Sequence, residues 1–337
     1  MNRYTIPWIM LTVMVLFVFG LTYQAKHSSP PDPTYDFYDT AFVHVEIHGS
    51  EGIHDLYGRY NHILHGQRVL IKAVEDQQGQ YLLEFPVYSP RPAMLYVDDE
   101  ALEIFLNPGD TTLHIDLWYE ASSYSFDSIH FSGNLASVCE YYLEKARKFN
   151  RSHIRGLRNT VEANDFARFS ASLDSMAAWE LGMLAEQEIL TELPEWFVGF
   201  ERNDILYQKA YLKLAQSYNR DIDPTLLDKP PLDNQTAEFS YYYYLYLHTF
   251  FSNQVKNEHA ADSLEHELEV AYQLASADSL LSGSPHDVFF TRMIFALIQQ
   301  EKLELAREML SKFETHFSSK KYFRYLRKCL QDATPVT

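Results

Sequence analysis

The hydrophobic pattern of this chain changes its period once, near residue 134, and this change restricts the possible folds more than any motif does. Residues 112–118 alternate between apolar and polar side chains, which is the period of a half-buried strand. After Ser132, Gly133 and Asn134, apolar residues recur at the spacing of a helix that faces a core. The pattern therefore predicts strands before this point and helices after it, with Asn134 as the helix N-cap.

The first part of the chain contains several short strand patterns separated by turn sequences. In residues 42–49, Val43, Val45 and Ile47 are expected to face inward. Further strands are predicted at residues 68–74, 81–85, 94–97, 102–106, 112–118 and 128–131. Short strands at this spacing are typical of an antiparallel β-sandwich or an open barrel. We assign this domain to residues 42–133.

The second part, residues 134–333, follows the helical period. Pro194, Pro224 and the pair Pro230-Pro231 fall between apolar-periodic segments, where proline ends helices. Gly283 to Pro285 is predicted to break the chain before a pair of helices at residues 290–299 and 305–317, and a basic helix follows at 320–330. The fold class predicted is α+β, with an all-α helical-hairpin domain after the sheets. We find no convincing 34-residue repeat of the tetratricopeptide type.

The amino-terminal region, residues 1–26, is predicted to be a transmembrane signal anchor. Residues 6–23 carry no charge, and about 18 apolar residues would span about 27 Å as a helix. Arg3 precedes this stretch, so the positive-inside rule places the rest of the chain outside the cytoplasm, in the periplasm. Tyr23 stands where a cleavage site prefers a small residue, which favours an uncleaved anchor over a removed signal peptide. Residues 27–41 are a Pro-rich tether.

The charge and the cysteines exclude two functional classes. A formal net charge of -18 argues against nucleic acid as a partner, because binding it requires basic side chains. The two cysteines, Cys139 and Cys329, form no C-x-x-C, so a thioredoxin active site is excluded. Cys139 lies on the apolar stripe of its helix and is expected to be buried, and a disulfide with Cys329 is the alternative.

Histidines concentrate between residues 44 and 65 and are the first candidate for a site. His44, Glu46 and His48 alternate with apolar residues, so they are expected to share the outer face of one strand. They could form a weak metal pair, but their spacing is not the H-E-x-x-H of metalloproteases. We interpret them as solvated surface residues and expect no metal ligand. The other histidines of this stretch are His54, His62 and His65.

Two further clusters are assigned structural roles. Of the four consecutive tyrosines at 241–244, two are expected in the core and two exposed or at a contact between helices. Any exposed ring among them could form a partner surface with Phe250 and Phe251. The acidic group at 98–100 and Glu103 is expected to be a solvated loop, since it lacks EF-hand spacing. No phosphate-binding loop or nucleophile motif is present in the sequence. We therefore predict no catalytic residue, no cofactor and no metal.

Two short motifs resemble a known family. The chain from Phe105 through the turn at 107–110, the next strand, and the Phe-Ser-Gly-Asn sequence at 131–134 before a helix resemble the amino-terminal region of TlpA/ResA-type thiol:disulfide oxidoreductases of bacterial envelopes. The resemblance covers about residues 42–330. It implies a β-rich domain of unknown function, a helical segment, and then a thioredoxin domain with C-x-x-C. This sequence lacks that motif and ends near where the domain would start.

The resemblance and the missing motif together predict a membrane-tethered, extracytoplasmic, non-catalytic protein. Its expected role is to bind or position a partner protein in the cell envelope. One alternative is a piece of a split or truncated thiol:disulfide oxidoreductase whose thioredoxin domain is on another chain. A second alternative is a helical-repeat interaction scaffold.

Overall fold

The structure is a computed structural model that describes residues 39–49, 55–76, 79–109, 112–120, 125–148, 165–217, 222–258 and 266–333. Within these ranges all strands precede all α-helices, so the predicted α+β class is confirmed. The strands are β1 (Asp39–His48), β2 (Leu56–Asn61), β3 (Arg68–Lys72), β4 (Val74–Glu75), β5 (Gln80–Val87), β6 (Arg91–Val97), β7 (Glu100–Leu106), β8 (Thr112–Glu120) and β9 (Ser125–Ser132).

The strands form two sheets, and neither of them closes into a barrel. The five-stranded sheet has the order β4-β5-β1-β8-β9, and the four-stranded sheet has the order β3-β2-β6-β7. The prediction of a wholly antiparallel arrangement is wrong at one pair, because β1 and β8 run parallel. A parallel pair needs a long connection, and here the whole four-stranded sheet lies between these two strands in the sequence.

The two sheets pack face to face over one apolar core. Val43, Val45 and Ile47 of β1 point into this core, as predicted from their alternation. The sheets lie close together at Gly58 of β2, where an added Cβ would lie 2.2 Å from Cζ of Phe85. Gly58 is thus required at an inward position, because the ring of the opposite sheet fills the space of its side chain.

Two strand predictions differ from the structure. The strand β2 was not predicted, although it pairs with both β3 and β6. The predicted strand at 68–74 is divided, because β3 joins the four-stranded sheet and β4 joins the five-stranded sheet. The chain thus passes from one sheet to the other at Ala73.

The helices follow in chain order and pack largely on their sequence neighbours. They are α1 (Ala136–Lys148), α2 (Phe166–Leu190), α3 (Glu195–Ser217), α4 (Tyr241–Glu258), α5 (His266–Leu280), α6 (Gly283–Gln299), α7 (Leu303–Lys312) and α8 (Lys320–Asp332). Helix α1 lies against β7 and β9, and α8 packs on both α6 and α7. Gly283 to Pro285, predicted to break the chain, is the first turn of α6.

Apolar packing continues across the transition from strands to helices. The first core joins both sheets to α1 and to the facing ends of α2 and α3. The second core lies among α3 to α8 and includes Ile63 and Leu64 from the β2–β3 loop. Among the described residues, the helical part therefore contacts the four-stranded sheet at β7 and at the β2–β3 loop, and Tyr88 of the β5–β6 loop also contacts Tyr322 of α8.

The tyrosine run at the start of α4 has the predicted division of roles. Tyr243 and Tyr244 are fully buried, whereas Tyr241 and Tyr242 are half-buried. Phe251 is also fully buried and packs against Phe289, so the proposed use of Phe251 in a partner surface is wrong.

The predicted anchor at residues 1–26 lies outside the described residues, as does most of the tether. Among the residues that the structure describes, none of the helices combines the length and the apolar character needed to cross a membrane.

Candidate functional site

On strands β1, β8 and β9, the outer face of the five-stranded sheet carries a group of four imidazole rings, two carboxylates and one indole. Residues that pair directly on neighbouring strands project to the same face, so the strand register determines which side chains meet. Glu46 pairs with Asp116, which pairs in turn with His130 on β9. We call this surface the histidine face, and it consists of His44, Glu46, His48, His114, Asp116, Trp118 and His130.

The rings of the histidine face lie against one another in two groups. His44 stacks on His114 with 5.0 Å between ring centroids. His48 stacks on Trp118 at 4.5 Å, and His130 meets the same indole edge-on at 5.4 Å. Trp118 is 38% exposed, so its ring is held in place by two histidines and still reaches solvent.

The carboxylates lie beside the second ring group. Gln80 of β5 donates a hydrogen bond from Nε2 to Oε2 of Glu46 at 3.2 Å. The other carboxylate oxygen, Oε1, lies 3.7 Å from Nε2 of His48. Ligand-type atoms of Glu46, His48 and Asp116 all lie within 4.8 Å of one another. One nitrogen and two oxygen donors thus face the same small volume.

The imidazole of His44 is held toward its neutral form. Partial burial and the nearby His114 lower the pKa of His44, and the negative charge of Asp76 opposes them. A neutral imidazole offers one donor and one acceptor nitrogen, so His44 can form hydrogen bonds in both directions. Chemically, the histidine face can stack on a flat group, exchange hydrogen bonds and coordinate a cation.

Two other histidines of the sequence cluster are placed differently. His62 is fully buried in the β2–β3 loop, and its Nδ1 accepts the backbone N–H of His65 at 3.1 Å. His65 lies between His62 and Phe295 of α6, with ring separations of 3.9 and 4.0 Å, and its ring is hydrogen-bonded to the hydroxyl of Tyr325. This histidine clasp, formed by His62 and His65, joins the sheet to α6 and α8.

Burial sets the charge state of the clasp. Burial, reinforced by the positive charge of Arg91, lowers the pKa of His65 to about 3. Burial also lowers the pKa of His62 well below its ordinary value. Both rings are therefore neutral near pH 7 and serve packing rather than binding. His54, the remaining histidine of the cluster, lies outside the described residues.

A buried ionic cluster joins β7 to the first three helices. Lys145 of α1 lies 2.5 Å from Oε2 of Glu180 and 2.7 Å from Oε1 of Glu201. Tyr141 and Tyr142 donate their hydroxyls to the two oxygens of Glu201 at 3.1 and 2.8 Å. Burial alone would lower the pKa of Lys145, but these two carboxylates raise this pKa above its ordinary value.

The acidic residues near β7 do not form the single solvated loop that we predicted. Asp98 accepts a hydrogen bond from the backbone N–H of Asp55 at 3.0 Å and so ties two loops together. Glu103 is half-buried beside Lys145, and burial, assisted by Glu201, raises the pKa of Glu103 to about 7. Burial and Glu201 likewise raise the pKa of Asp204 to about 7.

Neither cysteine has the properties of a reactive thiol. Cys139 is fully buried, as predicted, and its Sγ accepts the backbone N–H of Phe105 at 3.4 Å. Burial raises the pKa of Cys139 to about 12 and that of the half-buried Cys329 to about 11. Both thiols are free in the structure, so the alternative of a disulfide between them is not observed.

The sequence identified only part of the histidine face. The shared outer position of His44, Glu46 and His48 is as predicted from alternation. Asp116, Trp118 and His130 were missed as partners, because they lie about 70 to 85 residues further along the chain. The sequence showed that His114, Asp116 and Trp118 share one face of their strand. It did not show that this strand lies beside β1.

Comparison with models of protein families finds no family that matches the chain, and comparison with curated protein sequences finds no match.

Proposed function

We propose that this chain is a non-catalytic binding protein, tethered by residues 6–23 to a bacterial inner membrane with its bulk in the periplasm. In this proposal the histidine face is the surface offered to a partner protein. In this proposal the chain resembles the front portion of TlpA-like oxidoreductases in architecture. It positions a partner protein and carries out no redox chemistry.

The observation that carries the proposal is the exposed ring group around Trp118. An indole that is fixed by neighbours on both sides loses little freedom when a partner covers it, and tryptophan is enriched at interface centres. Trp118 stacks on His48, and His130 meets it edge-on. The polar groups of the same face would supply directional contacts around this aromatic centre.

The state of the thiols supports a role without redox chemistry. Thiol exchange requires an accessible thiolate, and Cys139 has neither accessibility nor a low pKa. Cys329 also has a raised pKa. The sequence holds no third cysteine that could resolve a mixed disulfide.

Site-specific photocrosslinking in native membranes tests the proposal. A benzophenone amino acid in place of Trp118 should give a discrete protein adduct. The same probe in place of Tyr272 is the control, because that ring is 39% exposed on α5. Absence of an adduct at 118, or equal adducts at both positions, would contradict the proposed surface. Turnover of insulin disulfides by the purified chain would contradict the non-catalytic assignment.

The second candidate, one piece of a split thiol:disulfide oxidoreductase, is favoured by the basic surface of α8. Its apolar side is buried through Tyr322, Tyr325 and Leu326, while the opposite side is basic. The exposed basic residues are Lys320, Lys321, Arg324, Arg327 and Lys328. A neighbouring reading frame for a thioredoxin-like chain, and binding of that chain to wild type but not to a variant with these residues changed to glutamine, would favour this candidate.

The helical-repeat scaffold receives less support. Stacked hairpins of one repeat have equal lengths. The helices from α2 onward vary from 25 residues in α2 to 10 in α7.

A further inference from the structure

The three ligand-type groups at the centre of the histidine face lie where two strands run side by side. Glu46 and Asp116 are register partners on the parallel strands β1 and β8, and His48 is the next outward residue on β1. Their donor atoms are within 4.8 Å of one another. Ligands that share one Zn²⁺ at about 2.0–2.2 Å lie about 3.4 Å apart, so small side-chain rotations would complete such a site.

Neighbouring residues already orient two of these groups. The hydrogen bond from Gln80 holds Oε2 of Glu46 and leaves Oε1 on the side of His48. Stacking on Trp118 fixes the plane of the His48 ring. Secondary contacts of this kind are what set the direction of metal-binding side chains in known sites. The separation of 3.7 Å between His48 Nε2 and Glu46 Oε1 is longer than a hydrogen bond, so that contact does not consume the nitrogen.

The negative charges of Glu46 and Asp116 favour a cation as the ligand. Two carboxylates in register on adjacent strands repel each other, and the repulsion opposes the strand pairing that brings them together. A divalent ion between them would turn this repulsion into attraction. An imidazole in the donor set favours a transition metal over Ca²⁺ or Mg²⁺, which take oxygen ligands.

We propose that Glu46, His48 and Asp116 bind one Zn²⁺ ion on the histidine face, with water at the fourth position. Three protein ligands and one open position form a site that a further ligand can enter. The role of this zinc site rests on the proposed function, because a side chain of the partner protein would replace the water. The two can fail separately, since metal binding requires no partner and crosslinking at Trp118 requires no metal.

Zinc titration of the purified full-length chain in detergent, by calorimetry, tests the site. The wild-type protein should bind one Zn²⁺ ion per chain in this titration. His48→Ala should weaken binding by about tenfold or more, because loss of a ligand exceeds the effect of losing an outer contact. Asp116→Asn and Glu46→Gln keep the shape of each side chain and should weaken binding similarly, which guards against misfolding as the cause.

His316→Ala is the matched control. His316 is 43% exposed against 37% for His48, and it also lies beside a carboxylate, with Nδ1 2.7 Å from Asp278. This variant should bind zinc as wild type does. If wild type binds no zinc, or if the His48 and His316 variants lose affinity equally, the proposed site is wrong.

A second measurement reports the location of the ion directly. Cu²⁺ occupies nitrogen and oxygen sites more tightly than Zn²⁺ and quenches nearby indole fluorescence. Cu²⁺ should quench the tryptophan fluorescence of wild type and of the His316 variant in proportion to the occupancy of the site. The part of the quenching that follows occupancy should disappear in Trp118→Phe. Quenching that persists unchanged in Trp118→Phe would place the ion elsewhere and overturn the assignment.

Discussion

The two sheets of this protein place the same residue types in opposite surroundings. On the outer face of the five-stranded sheet, the side chains of His48 and Glu46 are 37% and 45% exposed. Where the four-stranded sheet meets the helices, His62 is fully buried and Glu201 is 2% exposed. An exposed imidazole or carboxylate keeps its donor and acceptor atoms for a ligand, whereas a buried one has already committed them to partners.

This comparison indicates that the burial of a histidine or glutamate, rather than its residue type, decides whether it is available for binding or has a structural role. Changes at the buried junction should therefore alter the stability of the fold or its pH dependence, and changes on the histidine face should affect binding. Four substitutions test this contrast, in order of expected effect.

The largest effect is expected from Lys145→Met. This change leaves Glu180 and Glu201 buried without the ammonium group that both contact. Removing one partner of a buried ion pair lowers the free energy of unfolding by about 3–5 kcal/mol. Urea denaturation at pH 7 measures the loss.

Lys256→Met is the control for that change, because Lys256 is 43% exposed and lies 3.8 Å from Glu269. A surface pair of this kind should contribute less than about 1 kcal/mol. Equal losses for the two lysine variants would remove the distinction between the junction and the surface.

The second effect is a change in acid stability on replacing His65 with glutamine, which retains a hydrogen-bonding side chain. The pKa of His65 is about 3 in the folded protein and 6.5 for an ordinary histidine, so between these values the unfolded chain binds a proton that the folded chain does not. The contribution of His65 to stability is therefore lost as the pH falls below about 6.5, by about 2 kcal/mol between pH 7 and pH 5. Denaturation curves at both pH values should show that the difference in stability between His65→Gln and wild type shifts by this amount. An unchanged difference would mean that the clasp is not held neutral.

The third effect has the opposite sign and concerns Glu103→Gln. The pKa of Glu103 is about 7 in the folded protein against 4.5 ordinarily, so the folded chain retains a proton that the unfolded chain has released. Its contribution is present below about pH 4.5 and is lost as the pH rises through about 7. After allowance for its partial exposure, we expect glutamine to gain about 1 kcal/mol relative to wild type between pH 5 and pH 7.

Glu84→Gln serves as the control, because Glu84 is exposed on β5. It should show no relative gain over the same range. A gain as large as that of Glu103→Gln would mean that the pH dependence arises from general charge reduction rather than from burial at β7.

The smallest effect on stability is expected from His48→Ala, one of the three variants that should weaken zinc binding. An exposed outer-face residue should change the free energy of unfolding by no more than about 0.5 kcal/mol. Thermal unfolding of the metal-free protein measures this change. A loss above about 2 kcal/mol would show that the histidine face is structural after all.

The missed strand β2 shows where a sequence pattern fails. Its inward positions are Leu56, Gly58 and Tyr60, and the glycine interrupts the apolar alternation by which a strand is recognised. That glycine is present because Phe85 of the other sheet fills the space beside it. The information needed to predict β2 thus lies in a residue of a different strand.

The sequence by itself determined the order of strands and helices, the inward side of β1, the burial of Cys139 and the absence of a C-x-x-C. Each of these depends on local periodicity or on residue identity, which a single chain displays directly. Tertiary structure alone decided that β8 lies parallel to β1, and so brought Asp116 and Trp118 beside Glu46 and His48. It also decided that His62 is fully buried and His65 is half-buried, while 37% of the side chain of His48 is exposed. The physical reason is that strand pairing and burial depend on contacts between distant segments, which no local pattern contains.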